Sequence, residues 1–376
     1  MKIILVTEEY DQLNNGTTMT TYRFANMLAE RGHEVHVVGS GRMVEEAYKV
    51  PEQYYPIATS VAKKQGVAFG KPDPAVFRRA FAGADVIHFL LPMHFERQAL
   101  KTAKEMGIPV CAAFHLQPEN ITYNIHMPFE WLSAGIYRYF YASFYHCFGH
   151  IHCPSKFIAD QLRKNGYRAK LHVISNGVGD AFVPGAAERC DPLFRILMVG
   201  RLSHEKRQNI LIEAVSKSKY ADRIQLLLAG QGPCRKTLEK QGEKLKHKPV
   251  FGFYSEPELV NLIRSCDLYI HASFVEIEAI ACMEAFACGL VPVICNSPKS
   301  ATVQFALHPQ SLFEPDNPKD LADKIDYWIE HREERLIYSE KYARLGNRYR
   351  VEQSVMETEN MFYQVIDEYK KERDSV

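Results

Sequence analysis

At 376 residues, with 46% hydrophobic and 24% charged side chains, the chain has the make-up of a folded globular protein longer than one hydrophobic core organises. That excludes a disordered or fibrous chain. A formal net charge of +1 gives no bulk field for nucleic acid, so no nucleic-acid partner is expected.

Met1-Lys2-Ile3-Ile4-Leu5-Val6 is too short for a signal peptide and reads as the first strand. Further strand-like runs follow at residues 34–38, 86–90, 110–114, 150–153 and 171–174, then at 195–199, 224–228, 250–253, 268–272 and 291–295. Helical stretches alternate with them, the pattern of parallel sheets with crossover helices. Between the two sets, Ser175-Asn176-Gly177-Val178-Gly179-Asp180 and Pro184-Gly185 have hinge composition. The reading is therefore α/β: a domain over residues 1–175, a second over 176–350, and a last helical segment, 351–376, able to cross back to the first.

Nine cysteines, an odd number without a Cys-x-x-Cys pair, read as reduced core residues of a cytoplasmic protein. No apolar run reaches the ~18 residues of a spanning helix, so any membrane contact is expected to be peripheral. Residues 1–175 carry 19 Lys/Arg against 15 Asp/Glu, and residues 176–376 carry 27 against 30. The first half thus leans weakly towards an anionic surface.

The chemistry concentrates where strands end. Glu276 and Glu284 stand eight positions apart in Glu276-Ile277-Glu278-Ala279-Ile280, which runs on into an Ala-rich apolar stretch. On a continuous helix both would lie on nearly one face and grip one extended polar ligand. Gly289 then serves as helix C-cap before a buried strand. Upstream, Gly200-Arg201-Leu202 and Lys206-Arg207 follow a strand, the position where doubly wound sheets expose ligands, and offer two cations for a diphosphate. Gly230-Gln231-Gly232 ends another strand. Asn14-Asn15-Gly16-Thr17-Thr18 lies between strand and helix, with Gly16 able to take positive φ. His115 sits just past the strand at 110–114. From Pro128 to Phe148 nine of 21 residues are aromatic, more than one buried helix face needs, with Lys63, Lys64, Lys71, Arg78 and Arg79 forming a basic stretch upstream.

Together these blocks resemble glycosyltransferase family 4 across essentially the whole chain. The resemblance implies the GT-B fold, two Rossmann-like doubly wound domains facing a central cleft, with donor bound by the C-terminal half and acceptor by the N-terminal half. It assigns Glu276 to the donor sugar and Glu284 to the nucleotide ribose, with Glu278, Ala279 and Ile280 in the same donor segment. Arg201 and Lys206 would neutralise the leaving diphosphate beside Gly200 and Gly230, Gly16 would approach donor phosphates, and His115 would contact the sugar. The family commonly has Phe-Gly where this chain has Ile277-Glu278, which adds a carboxylate near the sugar and leaves its identity open. No Asp-x-Asp triplet occurs, so no metal or other cofactor is expected.

The implied activity is retaining transfer of glucose or galactose from UDP-glucose or UDP-galactose to a lipid hydroxyl, of diacylglycerol or ceramide, at a membrane surface. Trp131, Tyr137 and Tyr141 are the expected acceptor-side aromatics. A polysaccharide or soluble sugar acceptor is the alternative, and a nucleotide-sugar-binding protein without turnover is the alternative of another class.

Overall fold

The computed structural model describes residues 1–11, 16–56, 68–125, 127–189 and 191–375. Asn14, Asn15, Lys63 and Lys64 lie outside the described residues. The chain divides into two compact units, one of Met1–Pro118, Pro128–Asn176 and Val351–Val376, the other of Glu119–Met127 and Gly177–Arg350.

In the first unit six parallel strands, β1 (Lys2–Glu9), β2 (Glu34–Ser40), β3 (Val86–Phe89), β4 (Val110–Ala113), β5 (His150–Cys153) and β6 (Lys170–Val173), run in the order β2-β1-β3-β4-β5-β6. Ile3 pairs with Val35 on one side and Val86 on the other. Helices cover both faces, so Ile3, Ile4, Leu5 and Val6 are all buried with no polar alternation between them. The final helix, Val351–Asp374, belongs to this unit. Its Val351, Val355, Phe362 and Ile366 follow helical spacing and join the core formed by Ile3, Leu5, Phe24, Leu28 and Val86. Polar clamps fix the same helix: Glu359 accepts from Arg31 Nε at 2.9 Å and lies 2.7 Å from His33 Nε2, while Glu368 lies 2.8 Å from His150 Nε2.

The second unit has β7 (Phe194–Val199), β8 (Ile224–Ala229), β9 (Val250–Gly252), β10 (Leu268–His271), β11 (Pro292–Cys295) and β12 (Leu312–Phe313), in the order β12-β11-β10-β7-β8-β9. Two-residue β12 has no counterpart among the sequence-derived strands, because a run that short carries no periodicity. The chain winds from β7 outward to β9, then returns to the other side of β7 as β10. That reversal makes the boundary between β7 and β10 the switch point, where carboxyl-end loops diverge and leave a crevice.

A buried carboxyl pair marks the first unit. Glu8, near the end of β1, accepts from Gly70 N at 2.6 Å and is 2% exposed; Glu96 is fully buried. Burial pushes Glu8 up to about 7 against the N–H groups of Gly70 and Phe95 and the charge of Arg97, while burial and then Glu8 push Glu96 well above its ordinary value. Both carboxyls keep their protons to higher pH in the folded state than in the unfolded chain, which releases them near 4.5. The stability this contributes is therefore complete below about pH 4.5 and, for Glu8, is lost as pH rises through about 7. Glu96→Gln is expected to raise stability at pH 8.5 by on the order of 1–2 kcal/mol and to flatten the fall between pH 5 and 8.5. Denaturant melts at the two pH values measure this; an unchanged slope would show the pair ionised without penalty.

Candidate functional site

At the carboxyl end of β7 the backbone must turn between neighbouring loops. Gly200 has φ 153° and Gly230, after β8, has φ 152°, and a Cβ on Gly230 would stand 2.0 Å from the Gly200 carbonyl oxygen. The loops are knitted by hydrogen bonds, Gly200 N to Ala229 O at 2.9 Å and Leu202 N to Gln231 O at 2.9 Å. Gly230 is therefore demanded by the packing of two backbones as well as by any ligand. A 3-10 turn, His204–Lys206, follows, and left-handed Arg207 starts the helix Gln208–Lys217. Arg201 is half-buried, and burial lowers its guanidinium pKa, with Glu205 opposing.

The loop after β10 takes a course that the sequence reading misplaced. Glu276 is not on a helix: it forms a parallel bridge with Ser300, and its carbonyl accepts from Ala301 N at 2.9 Å. Ala279 then adopts a left-handed conformation, φ 71°, and the helix begins only at Ile280 and runs to Ala287. A left-handed alanine costs about 1–2 kcal/mol, so surrounding contacts hold this turn in place. Glu276 and Glu284 are thus not stacked on one continuous helical face. Glu284 is buried within the helix, and Glu278, 3% exposed, lies near Tyr349, whose phenol is raised by burial and then by the Glu278 charge.

Lys206 and Glu276 meet as an ion pair across the β7–β10 switch point. His271, the last residue of β10, places Nε2 3.3 Å from Glu276 Oε1. Burial pushes the Glu276 carboxyl up, but the charge of Lys206 and the proximity of His271 outweigh it and hold it down at about 2. Lys206 is accordingly already engaged by a carboxylate, where the sequence suggested a cation reserved for phosphate. The loop after β7 is tied to that after β10 a second time, by Phe274 N donating to Glu205 O at 2.9 Å. His271 escaped the sequence reading; its only signal was its place at a strand's carboxyl end. Tyr123 also belongs to this unit, its ring 5.4 Å from Phe274 and 5.6 Å from Lys299 Nζ.

In the first unit, His115 lies just past β4, buried, with its ring 5.4 Å from that of His152. Burial and then His152 push its pKa down to about 3, so it is a neutral imidazole at physiological pH. Gly16 opens the helix Gly16–Glu30 without the positive φ it is able to take, and a Cβ there would meet nothing within 4 Å.

The aromatic run divides. Tyr137, 1% exposed, stacks on Phe114 at 5.8 Å and accepts at its carbonyl from Tyr167 Oη at 2.9 Å, so it is core and not an acceptor-facing residue. Tyr141 is half-buried, 4.9 Å from Tyr167. Trp131, 68% exposed, and Phe129, 51% exposed, stack on each other at 6.0 Å. The basic stretch is partly engaged: Arg78 pairs with Glu105 at 2.6 Å, and Arg79 Nε donates to Ala47 O at 2.8 Å. Among the described residues no cluster of His, Cys, Asp or Glu has the arrangement of a metal site, and no helix is long and apolar enough to cross a membrane.

Two parallel sheets with helices on both faces and a cation–carboxylate pair at the second sheet's switch point define the GT-B class. Residues 14–182 match the model of Glycosyltransferase Family 4 and residues 190–347 that of Glycosyl transferases group 1; the chain belongs to glycosyltransferase family 4. Among solved structures, sucrose-phosphate synthase from Thermosynechococcus elongatus shares the fold at TM-score 0.78 and 15% identity, over 97% of this chain and 99% of that one. The catalytic domain of cholesterol-alpha-glucosyltransferase from Helicobacter pylori is 52% identical over 42% of this chain and 99% of that one, at TM-score 0.41. Alpha-monoglucosyldiacylglycerol synthase from Streptococcus pneumoniae is 24% identical over 56% of this chain, and the match spans about half, 52%, of that relative's length.

Removing Lys206 leaves the largely buried Glu276 side chain without its cation. Lys206→Ala is expected to cost on the order of 3 kcal/mol at pH 7.5, because Glu276, no longer held at about 2, must be desolvated or protonated. The sign reverses relative to the parent: there, stability from Glu276 is lost as pH falls towards 2, whereas the variant should regain stability as pH falls to 5. Denaturant melts of Lys206→Ala and of the double variant with Glu276→Gln check this, the second substitution restoring most of the loss.

The two glycines should behave oppositely. Gly230→Ala is expected to destabilise by on the order of 3 kcal/mol through the clash with Gly200, and Gly16→Ala to leave the melting temperature unchanged or slightly raised. Thermal melts of both variants read the difference.

Proposed function

We propose that this chain is a retaining, metal-independent glycosyltransferase that moves a glucosyl or galactosyl group from a UDP-sugar to a lipid hydroxyl. The observation that carries the reading is the partly buried Lys206–Glu276 pair at the carboxyl ends of β7 and β10, with half-buried Arg201 on the same loop after β7. Arg201 and Lys206 supply positive charge where a diphosphate leaving group gains negative charge, and Glu276, kept ionised, accepts hydrogen bonds from sugar hydroxyls. In front-face displacement the bond from the anomeric carbon to the diphosphate oxygen breaks with its electron pair. The acceptor hydroxyl attacks from the same face, and its proton passes to the departing phosphate oxygen. No protein nucleophile is needed for this, and the cations take the place a divalent ion would fill.

A lipid acceptor is favoured by two things: the Streptococcus relative, named for a diacylglycerol product, and the exposed Phe129–Trp131 pair, which has the amphipathic character of a headgroup-level anchor. A soluble or polysaccharide sugar acceptor is the second reading, and a binder without turnover is the third.

UDP release should be measured with UDP-glucose, UDP-galactose and UDP-N-acetylglucosamine against diacylglycerol, ceramide and simple sugars. Acceptor-dependent release with one hexose donor and a lipid is expected, unaffected by excess EDTA. Absence of release with every pair would leave a binder, and complete loss in EDTA restored by magnesium would place a metal in the reaction.

Anionic liposomes at low salt should sediment the protein. The double change of Phe129 and Trp131 to Ser should reduce both sedimentation and lipid glycosylation by about tenfold while sparing hydrolysis of the UDP-sugar. Glycosylation of a soluble sugar with no liposome binding would favour the second acceptor class.

A further inference from the structure

Glu276 has two partners on one oxygen. Lys206 Nζ and His271 Nε2 both approach Oε1, Lys206 as the close ion pair and His271 at 3.3 Å with its ring not aligned for a hydrogen bond. The other side of the imidazole is set by its own strand: Tyr269 Oη lies 3.4 Å from His271 Nδ1 and 3.5 Å from the Val199 carbonyl at the end of β7. His271 is 2% exposed and Tyr269 fully buried, so water does not replace these contacts. Burial lowers the His271 pKa, with Glu276 opposing, so the ring is a neutral donor and acceptor. An ionised carboxylate can only accept, which favours the tautomer with its proton on Nε2, facing Glu276; Nδ1 then accepts from Tyr269, whose single hydroxyl proton lies between Nδ1 and the Val199 carbonyl.

We propose that His271 is a positioning residue that takes over Glu276 when Lys206 turns to the diphosphate. The inference rests on the donor-site reading above and names a step that reading leaves open. A diphosphate drawing on Lys206 would strip Glu276 of its cation at a partly buried site, and a carboxylate in that state either reorients or takes up a proton. Nε2–H of His271 is within reach of the vacated Oε1. A small rotation aligns it, and Glu276 stays ionised and directed at the sugar. No proton moves; one hydrogen bond replaces one ion pair. The other titratable groups beside the site, Cys282 and Tyr269, have their pKa values raised by burial, and Glu276 raises both further, so neither competes as a charged partner.

The test is calorimetric titration with UDP at pH 8, in two buffers of different ionisation enthalpy, on the parent chain and on His271→Leu, His271→Asn and His271→Gln. Gln places its amide where Nε2 was, whereas Asn is polar but too short. The parent and His271→Gln should bind UDP with no net proton uptake. His271→Leu and His271→Asn should bind about tenfold more weakly and take up a substantial fraction of a proton as Glu276 neutralises. Turnover of the same variants should fall in kcat more than in KM for the donor.

Equal affinity and proton count across all four proteins would overturn the handover, as would a failure of Gln to do better than Asn in folded protein. If the parent binds neither UDP, GDP nor pyrophosphate, the donor-site reading itself fails, and the proposal with it. That outcome is distinct from binding that ignores His271. Circular dichroism melts identify any variant that has not folded, and Tyr269→Phe, which removes the hydroxyl between Nδ1 and the Val199 carbonyl, then serves in its place with proton uptake in the same direction.

Discussion

A carboxylate held inside a protein must be compensated, and in the second unit that requirement organises the loops. Glu276 is largely withdrawn from solvent, and it is held ionised by Lys206, which reaches it from the adjacent strand's loop, and by His271 beside it. The sheet order supplies the adjacency, since β7 and β10 are neighbours although about 70 residues of chain separate Lys206 from Glu276. The glycines at 200 and 230 let the flanking loops approach closely enough, and the left-handed Ala279 directs the chain into its helix after Glu276 has been delivered.

The first unit solves a similar topology with different chemistry. Its carboxyl ends gather neutral imidazoles, His115 against His152, and a carboxyl pair, Glu8 and Glu96, whose protons burial holds to higher pH than usual. Neutral imidazoles and protonated acids are compatible with a dry interior, whereas a diphosphate demands cations. The final helix, residues 351–374, completes this unit's core although it follows the whole second unit in sequence, and its Glu359 and Glu368 meet histidines of the first unit.

Aromatic density illustrates how one composition serves two ends. Tyr137 and Phe114 stack in the interior, while Phe129 and Trp131 stack in the open. Helical spacing separates the two sets: Tyr137 and Phe140 fall on the buried side of the helix Glu130–Ser143, and Trp131 and Tyr139 on the other. A count of aromatics does not carry that phase. The position of each ring against its neighbours does.

The amino-acid sequence by itself determined the α/β class, the two sets of strands and the family, because buried parallel strands read as short unbroken apolar runs and because Gly200-Arg201, Lys206 and the Glu276–Glu284 spacing are local patterns. Only the tertiary structure decided what those residues face. Whether Lys206 is bare or paired, whether Glu276 lies on the helix or before it, whether Tyr137 is core, and that His271 matters at all depend on contacts between segments far apart in the chain. Such contacts leave no periodic trace: a bridge from Glu276 to Ser300 or a left-handed alanine at 279 is imposed by neighbouring loops, not by local propensity.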